Sequence, residues 1–256
     1  MLIQLLSDLH LETEDFTPRP ARGAELLVLA GDIDASWDGL ARFARWPVPV
    51  IFVAGNHEFD GRELRSAWRE LRARCEDLGI RMLERETFVV QARDGRRVRF
   101  LGSVRWSDFD LLGASQRERC QRAAGYYVKI MRATLDGAVF DPAAVREESL
   151  ACRQWLEREL REGHGTADAT VVITHYAPSA RSADPRYGLQ PGTASFCNAD
   201  DDLLPFAKLW IHGHLHCRHD YLVPHEAGVT RVVSNARGHS VRGEADGYDD
   251  VLCLHV

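Results

Sequence analysis

The chain has 256 residues, long enough for an α/β domain with a substantial core, and 1–256 reads as a single domain. Its 32 Lys+Arg against 38 Asp+Glu give a formal charge of −6, which argues against long nucleic acid as a partner. The cysteines stand singly, no apolar run is long enough to span a membrane, and the first residues carry no basic or cleavable leader, so a cytoplasmic protein with no membrane partner is expected.

Leu2–Leu6, Leu26–Ala30 and Val50–Ala54 are short apolar runs, each followed by a polar turn, and read as buried strands. Leu64, Trp68, Leu71, Cys75 and Leu78 then fall on one face of a helix that Gly79 ends. Thr87–Ala92 and Arg97–Leu101 flank Asp94-Gly95, a pair favoured in hairpins because it tolerates positive φ. A helical stretch follows from about Gly113 to Arg161, so that about 104–150 reads as a helical insertion. It includes a helix after Asp141-Pro142 that turns Val145, Cys152, Leu156 and Leu160 inward. Thr170–Ile173 and Leu209–Ile211 return to strand, separated by an irregular stretch from Pro178 to about Pro205 whose length suggests a functional loop. Val229–Ser234 and Val251–Val256 read as closing strands. The order of elements predicts an α/β fold.

Five polar clusters each follow one of the apolar runs: Asp8-Leu9-His10, Gly31-Asp32, Gly55-Asn56-His57-Glu58, Thr174-His175 and Gly213-His214-Leu215-His216. In open α/β sheets ligands bind beyond the carboxyl ends of the strands, so clusters distant in sequence can converge there. If these segments are extended, side chains at i and i+2 point the same way, and Asp8 with His10, or His214 with His216, present two donors to one site. The donors are oxygen and imidazole without thiolate, which suits Mn, Fe or Zn. Seven donors exceed one four-coordinate ion and suit two divalent or transition metal ions sharing a carboxylate.

In this combination and order the chain resembles the calcineurin-like metallophosphoesterases, whose pattern is D-x-H, G-D, G-N-H-[DE], a His after a strand, and G-H-x-H. The resemblance runs from Asp8 to His216. It implies a four-layered αββα sandwich with two mixed β-sheets. It also implies that Asp8, His10, Asp32 and His216 hold one metal, and Asp32, Asn56, His175 and His214 the other, with Asp32 bridging. His57 would assist a metal-bridging hydroxide that attacks phosphorus. Departures from a bacterial subgroup of the family fall at Tyr176, where many relatives have His, and at Ala236 and His239, where they have Pro and Tyr.

The implied activity is hydrolysis of a phosphomonoester or phosphodiester in a small phosphorylated substrate, specificity lying in the 104–150 insertion and the 178–205 loop. Two other readings stay open: a non-catalytic binding scaffold that keeps the fold, and a nucleotide- or nucleic-acid-directed phosphodiesterase. Arg237 and Asn235 are candidates for substrate binding, although a salt bridge explains Arg237 equally well. Asp34 either orients a ligand or His57, or serves as a turn residue, and His212 either supports His214 or lies in the core.

Overall fold

Alternation along the strands sorts the side chains into layers. Residues 1–163, 165 and 167–256 are described in the computed structural model of the chain. The first half comprises β1 (Leu2–Leu6), β2 (Leu26–Ala30), β3 (Val50–Val53), α1 (Leu64–Asp77), β4 (Arg81–Met82), β5 (Glu86–Gln91) and β6 (Arg97–Ser103). It is followed by α2 (Arg117–Met131), β7 (Thr134–Leu135), β8 (Ala138–Val139) and α3 (Pro142–Glu162). The last part contains β9 (Ala169–Thr174), β10 (Leu209–His212), β11 (His219–His225), β12 (Gly228–Ser234) and β13 (Cys253–His255).

One sheet has the order β13-β1-β2-β3-β4, parallel except for β13, and the other β11-β12-β10-β9-β6-β5, with antiparallel strands β11 and β5 at its edges. Both sheets are therefore mixed. Ile3, Leu5, Val28 and Ala30 of the first pack with Phe100, Val171, Ile173 and Ile211 of the second in one buried cluster. The intervening residues Leu27 and Leu29 face outward to α1, through Leu71 and Cys75. Val172 and Trp210 face the opposite way to Trp155 and Leu156 of α3. The result is the four-layered αββα sandwich that the period-2 burial requires.

Local signals set the helix ends. The Glu63 carboxylate caps α1 by accepting from the amides of Arg65 and Ser66, and Gly79 (φ 70°) ends it. Asp141 caps α3 with Pro142 in its first turn. The stretch expected to be helical is broken between α2 and α3 by the β7–β8 hairpin, which turns at Asp136-Gly137 and is anchored by the fully buried Phe140. Strand β11 was absent from the sequence reading because it is a polar edge strand with alternate residues exposed.

The insertion and the 178–205 loop are joined by a buried cation. Arg105, fully buried, pairs with Asp200 at 2.9 Å and Asp108 at 2.8 Å, donates to the Trp106 carbonyl at 3.0 Å, and contacts Ser149 of α3. Removing one partner of such a network strands a buried charge, so it fixes the relative position of the two segments.

Candidate metal centre

Asp8, His10, Asp32, Asn56, His57, His175, His214 and His216 all lie one to four residues past the end of β1, β2, β3, β9 or β10. The loops interlock across the two sheets. The amide of His214 donates to Asp8 Oδ1 at 2.8 Å, that of His57 to Asp32 Oδ1 at 2.8 Å, and His175 Nδ1 to the Ala30 carbonyl at 2.9 Å. Close approach explains the motif glycines: a Cβ on Gly55 would sit 2.2 Å from Asp32 Oδ1, and one on Gly213 2.5 Å from Asp8 Oδ2.

The expectation that Asp8 with His10, and His214 with His216, converge by strand alternation is corrected. These four residues, and Asp32, have φ of 53°, 48°, 73°, 49° and 52°, in the left-handed region. Tight turns, not extended backbone, aim the side chains inward, and such strain in non-glycine residues concentrates at functional sites.

Ligand atoms of Asp8, His10, Asp32 and His216 lie within 4.8 Å of one another, as do those of Asp32, His175 and His214, so Asp32 belongs to both groups. Asn56 Oδ1 is 3.2 Å from His175 Nε2. The donor chemistry fits cations. His10 Nδ1 faces Glu12 at 3.2 Å and His216 Nδ1 faces Glu244 at 2.7 Å, which leaves the two Nε2 atoms 2.9 Å apart, lone pair toward lone pair, when both rings are neutral. Asp32 Oδ2 is buried without a hydrogen bond although His175 Nε2 is 3.1 Å away. The His214 Nε2 proton is directed to the Ser195 carbonyl at 3.1 Å, leaving Nδ1 as its lone pair.

Charge reinforces the geometry. Burial opposes ionisation of Asp32, but the neighbouring His175 and His57 rings hold its carboxyl well below the usual range. Burial also opposes a charged His175, and the adjacent Asp32 raises it to about 9. Burial pushes His214 well down. Protonation in this group therefore falls on His175 beside the Asp32 carboxylate, and metal binding there would release that proton.

His57 stands apart from the donor groups. Its ring lies against His10 with centroids 5.1 Å apart, its Nδ1 meets Asp60 Oδ2 at 2.7 Å, and its side chain is 28% exposed. Burial lowers its basicity, yet Asp32 and Asp60 together raise it to about 10. The sequence reading missed Asp60. It also gave no role to Glu58, whose carboxylate accepts from the amides of Asp32 (3.0 Å), Ile33 (2.7 Å), Asp34 (3.3 Å) and Gly55 (2.6 Å) and so ties two of the loops together.

Four weaker candidates are not brought to the cluster. Arg237 pairs with buried Glu14 at 2.8 Å over the Phe16 ring. Asn235 donates to the carbonyls of Leu5 and Asp249. The Asp34 carboxylate closes a turn by accepting from the amides of Ser36 and Gly39, both at 2.7 Å. His212 is fully buried against Ser182 Oγ at 2.9 Å and the Gly213 carbonyl, and burial pushes it down to about 3.

A trough of about 440 Å³ runs from Asp32, Asn56 and His57 between α2 and the 178–205 loop. Its walls include Trp106, Phe109, Tyr127, Ile130, Tyr187 and Phe196, with the Tyr127 and Phe196 rings edge to face at 4.9 Å. Tyr126 and Tyr127 of α2 line it while 67% and 42% exposed.

The chain superposes on the phosphopantetheinyl hydrolase of Mycobacterium tuberculosis with a TM-score of 0.73 at 18% identity, covering 96% of this chain and 92% of that one. A Staphylococcus aureus protein provisionally assigned as a 5′-nucleotidase gives 0.53 at 16%, covering 93% and 49%. A dimetal phosphatase from Danio rerio gives 0.48 at 16%, covering 92% and 87%. No curated protein matches the chain. Among the described residues no helix is long and apolar enough to cross a membrane. The sequence profile of the calcineurin-like phosphoesterases matches residues 1–218, and the chain belongs to that family.

Proposed function

We propose that this protein is a metal-dependent hydrolase of small phosphoesters, a single domain acting in the cytoplasm. Asp8, His10, Asp32 and His216 would hold one ion, and Asp32, Asn56, His175 and His214 a second. The observation that carries this is Asp32, common to both donor groups and with a buried oxygen that accepts no hydrogen bond. When bound, a pair of Mn, Fe or Zn ions acidifies water and offsets phosphate charge.

The chain's own residues then position and protonate. The Asp32 carboxylate holds the His57 backbone and Asp60 holds its ring, so that with Nδ1 on Asp60 the other nitrogen is left to donate to a phosphoryl or leaving-group oxygen. The aromatic trough offers apolar surface beside the reacting group and suits a phosphoester with a bulky organic part, of which a phosphopantetheinyl chain is one instance.

Purified, metal-loaded protein should hydrolyse at least one of p-nitrophenyl phosphate, bis-p-nitrophenyl phosphate, 4′-phosphopantetheine and a nucleoside monophosphate. A chelator should abolish turnover and added metal restore it. Absence of turnover on all four with metal bound would favour the non-catalytic scaffold.

A further inference from the structure

We propose that His239 is an additional metal-binding residue, an imidazole donor to the ion assigned above to Asp8, His10, Asp32 and His216. The inference rests on that assignment. The His239 ring centroid is 4.4 Å from that of His10 and 5.2 Å from that of His216. Ligand atoms of the three rings lie within 4.8 Å of one another. No motif of the sequence pattern includes this position.

Each of the three rings has a carboxylate near Nδ1, hydrogen-bonded at His10 and His216 and at ion-pair distance only at His239. His10 Nδ1 faces Glu12, His216 Nδ1 faces Glu244 at 2.7 Å, and His239 Nδ1 faces Glu14 at 3.6 Å. Carboxylates placed behind ligating histidines fix the ring and raise the basicity of the opposite nitrogen. Glu244 also accepts from the His239 amide at 2.8 Å, so one carboxylate positions two of the rings. The amides of Arg237 and Gly238 donate to the carbonyls of Ser7 and Asp8, at 3.1 and 2.9 Å, which pins the segment beside the Asp8 turn.

Arg237 gains a role in this arrangement. Its guanidinium holds Glu14, which the Ser240 amide also reaches at 3.2 Å, and Glu14 stands behind His239. His10 and His216 are common to the group with His239 and to the group with Asp8 and Asp32, and three imidazoles suit a borderline transition metal such as Zn, Fe or Co and poorly suit Mg or Ca.

The test uses the full chain stripped of metal and titrated with Co²⁺, read by visible ligand-field absorption and by chelator competition. His239→Phe keeps a ring without a donor, and His239→Gln is the second variant, circular dichroism confirming the fold of each. We expect one of two Co²⁺ ions to bind about 10- to 100-fold more weakly in both variants, with an altered absorption band, and the other ion to be unaffected. Two ions bound with unchanged affinity and spectrum in the variants would overturn the role of His239 alone. A wild-type chain that binds no Co²⁺ would overturn the dinuclear reading with it.

Discussion

Glu58→Gln should destabilise the protein and loosen the metal site together. The Glu58 side chain is fully buried, and its two oxygens accept four amides, Ile33 and Asp34 on Oε1, Asp32 and Gly55 on Oε2. A glutamine keeps one oxygen and turns an NH2 toward the other pair of donors. Two buried amides lose their acceptor, each at about 1–3 kcal/mol, so the loss is about 2–6 kcal/mol. That is a large share of the roughly 5–15 kcal/mol that holds a domain folded. Guanidinium denaturation of the metal-free protein measures the first effect, and metal content by plasma mass spectrometry after equal loading the second. If the variant unfolds within about 0.5 kcal/mol of wild type and retains full metal, the idea that Glu58 holds the Asp32 and Asn56 loops in place is wrong.

His57→Ala should keep its metal and lose about 10²- to 10⁴-fold in kcat, whereas Asn56→Ala should lose metal; equal metal loss in both would make His57 a ligand or support. Tyr127→Ala should raise KM for a bulky phosphoester more than for p-nitrophenyl phosphate, and equal change on both would remove the trough from recognition. Glu84, whose carboxylate accepts from the Val104 amide at 2.7 Å, is pushed up by burial to about 7 from the usual 4.5. The folded chain keeps a proton there that the unfolded chain releases, so stability falls as pH rises from about 4.5 to about 7, by about 3 kcal/mol in all. Glu84→Gln should flatten that dependence, gaining most over wild type at pH 8 and least at pH 4.5; parallel profiles from thermal melts would refute it.

The framework was legible because burial imposes simple patterns. Leu26–Ala30 is a continuous apolar run and Leu2–Leu6 one broken only by Gln4, since both faces of their strands are covered, and they appear with the predicted bounds. The short β4, the β7–β8 hairpin and the half-exposed β11 carry no such pattern and went unread. The residues that cluster at the strand ends were legible through the order of their motifs. Their supports were not, because Glu12, Glu14 and Glu244 look like ordinary surface acids, and only the tertiary structure sets them behind imidazoles. Asp60 was readable in principle, three residues after His57 and so within reach across one turn.

The left-handed turns at Asp8, His10, Asp32, His214 and His216 explain why so much of the surrounding polarity is committed to backbone amides. Such conformations cost about 1 kcal/mol or more each, so five together approach the net stability of a domain. They persist because Glu58 takes the Asp32 amide, Asp8 takes that of His214, and the Gly31 carbonyl takes that of Asp8. Asp8 and Asp32 therefore serve twice: Asp32 has Oδ1 on the His57 amide and Oδ2 in the cluster, and Asp8 holds the His214 amide with Oδ1, which also faces His216 Nε2 at 3.7 Å, and the Ser7 hydroxyl with Oδ2. An aspartate placed this way cannot be exchanged for asparagine without disturbing either the turn or the site. Loss of metal and loss of stability at these two positions should accordingly go together, whereas at His57, which supports no other loop through its ring, they should separate.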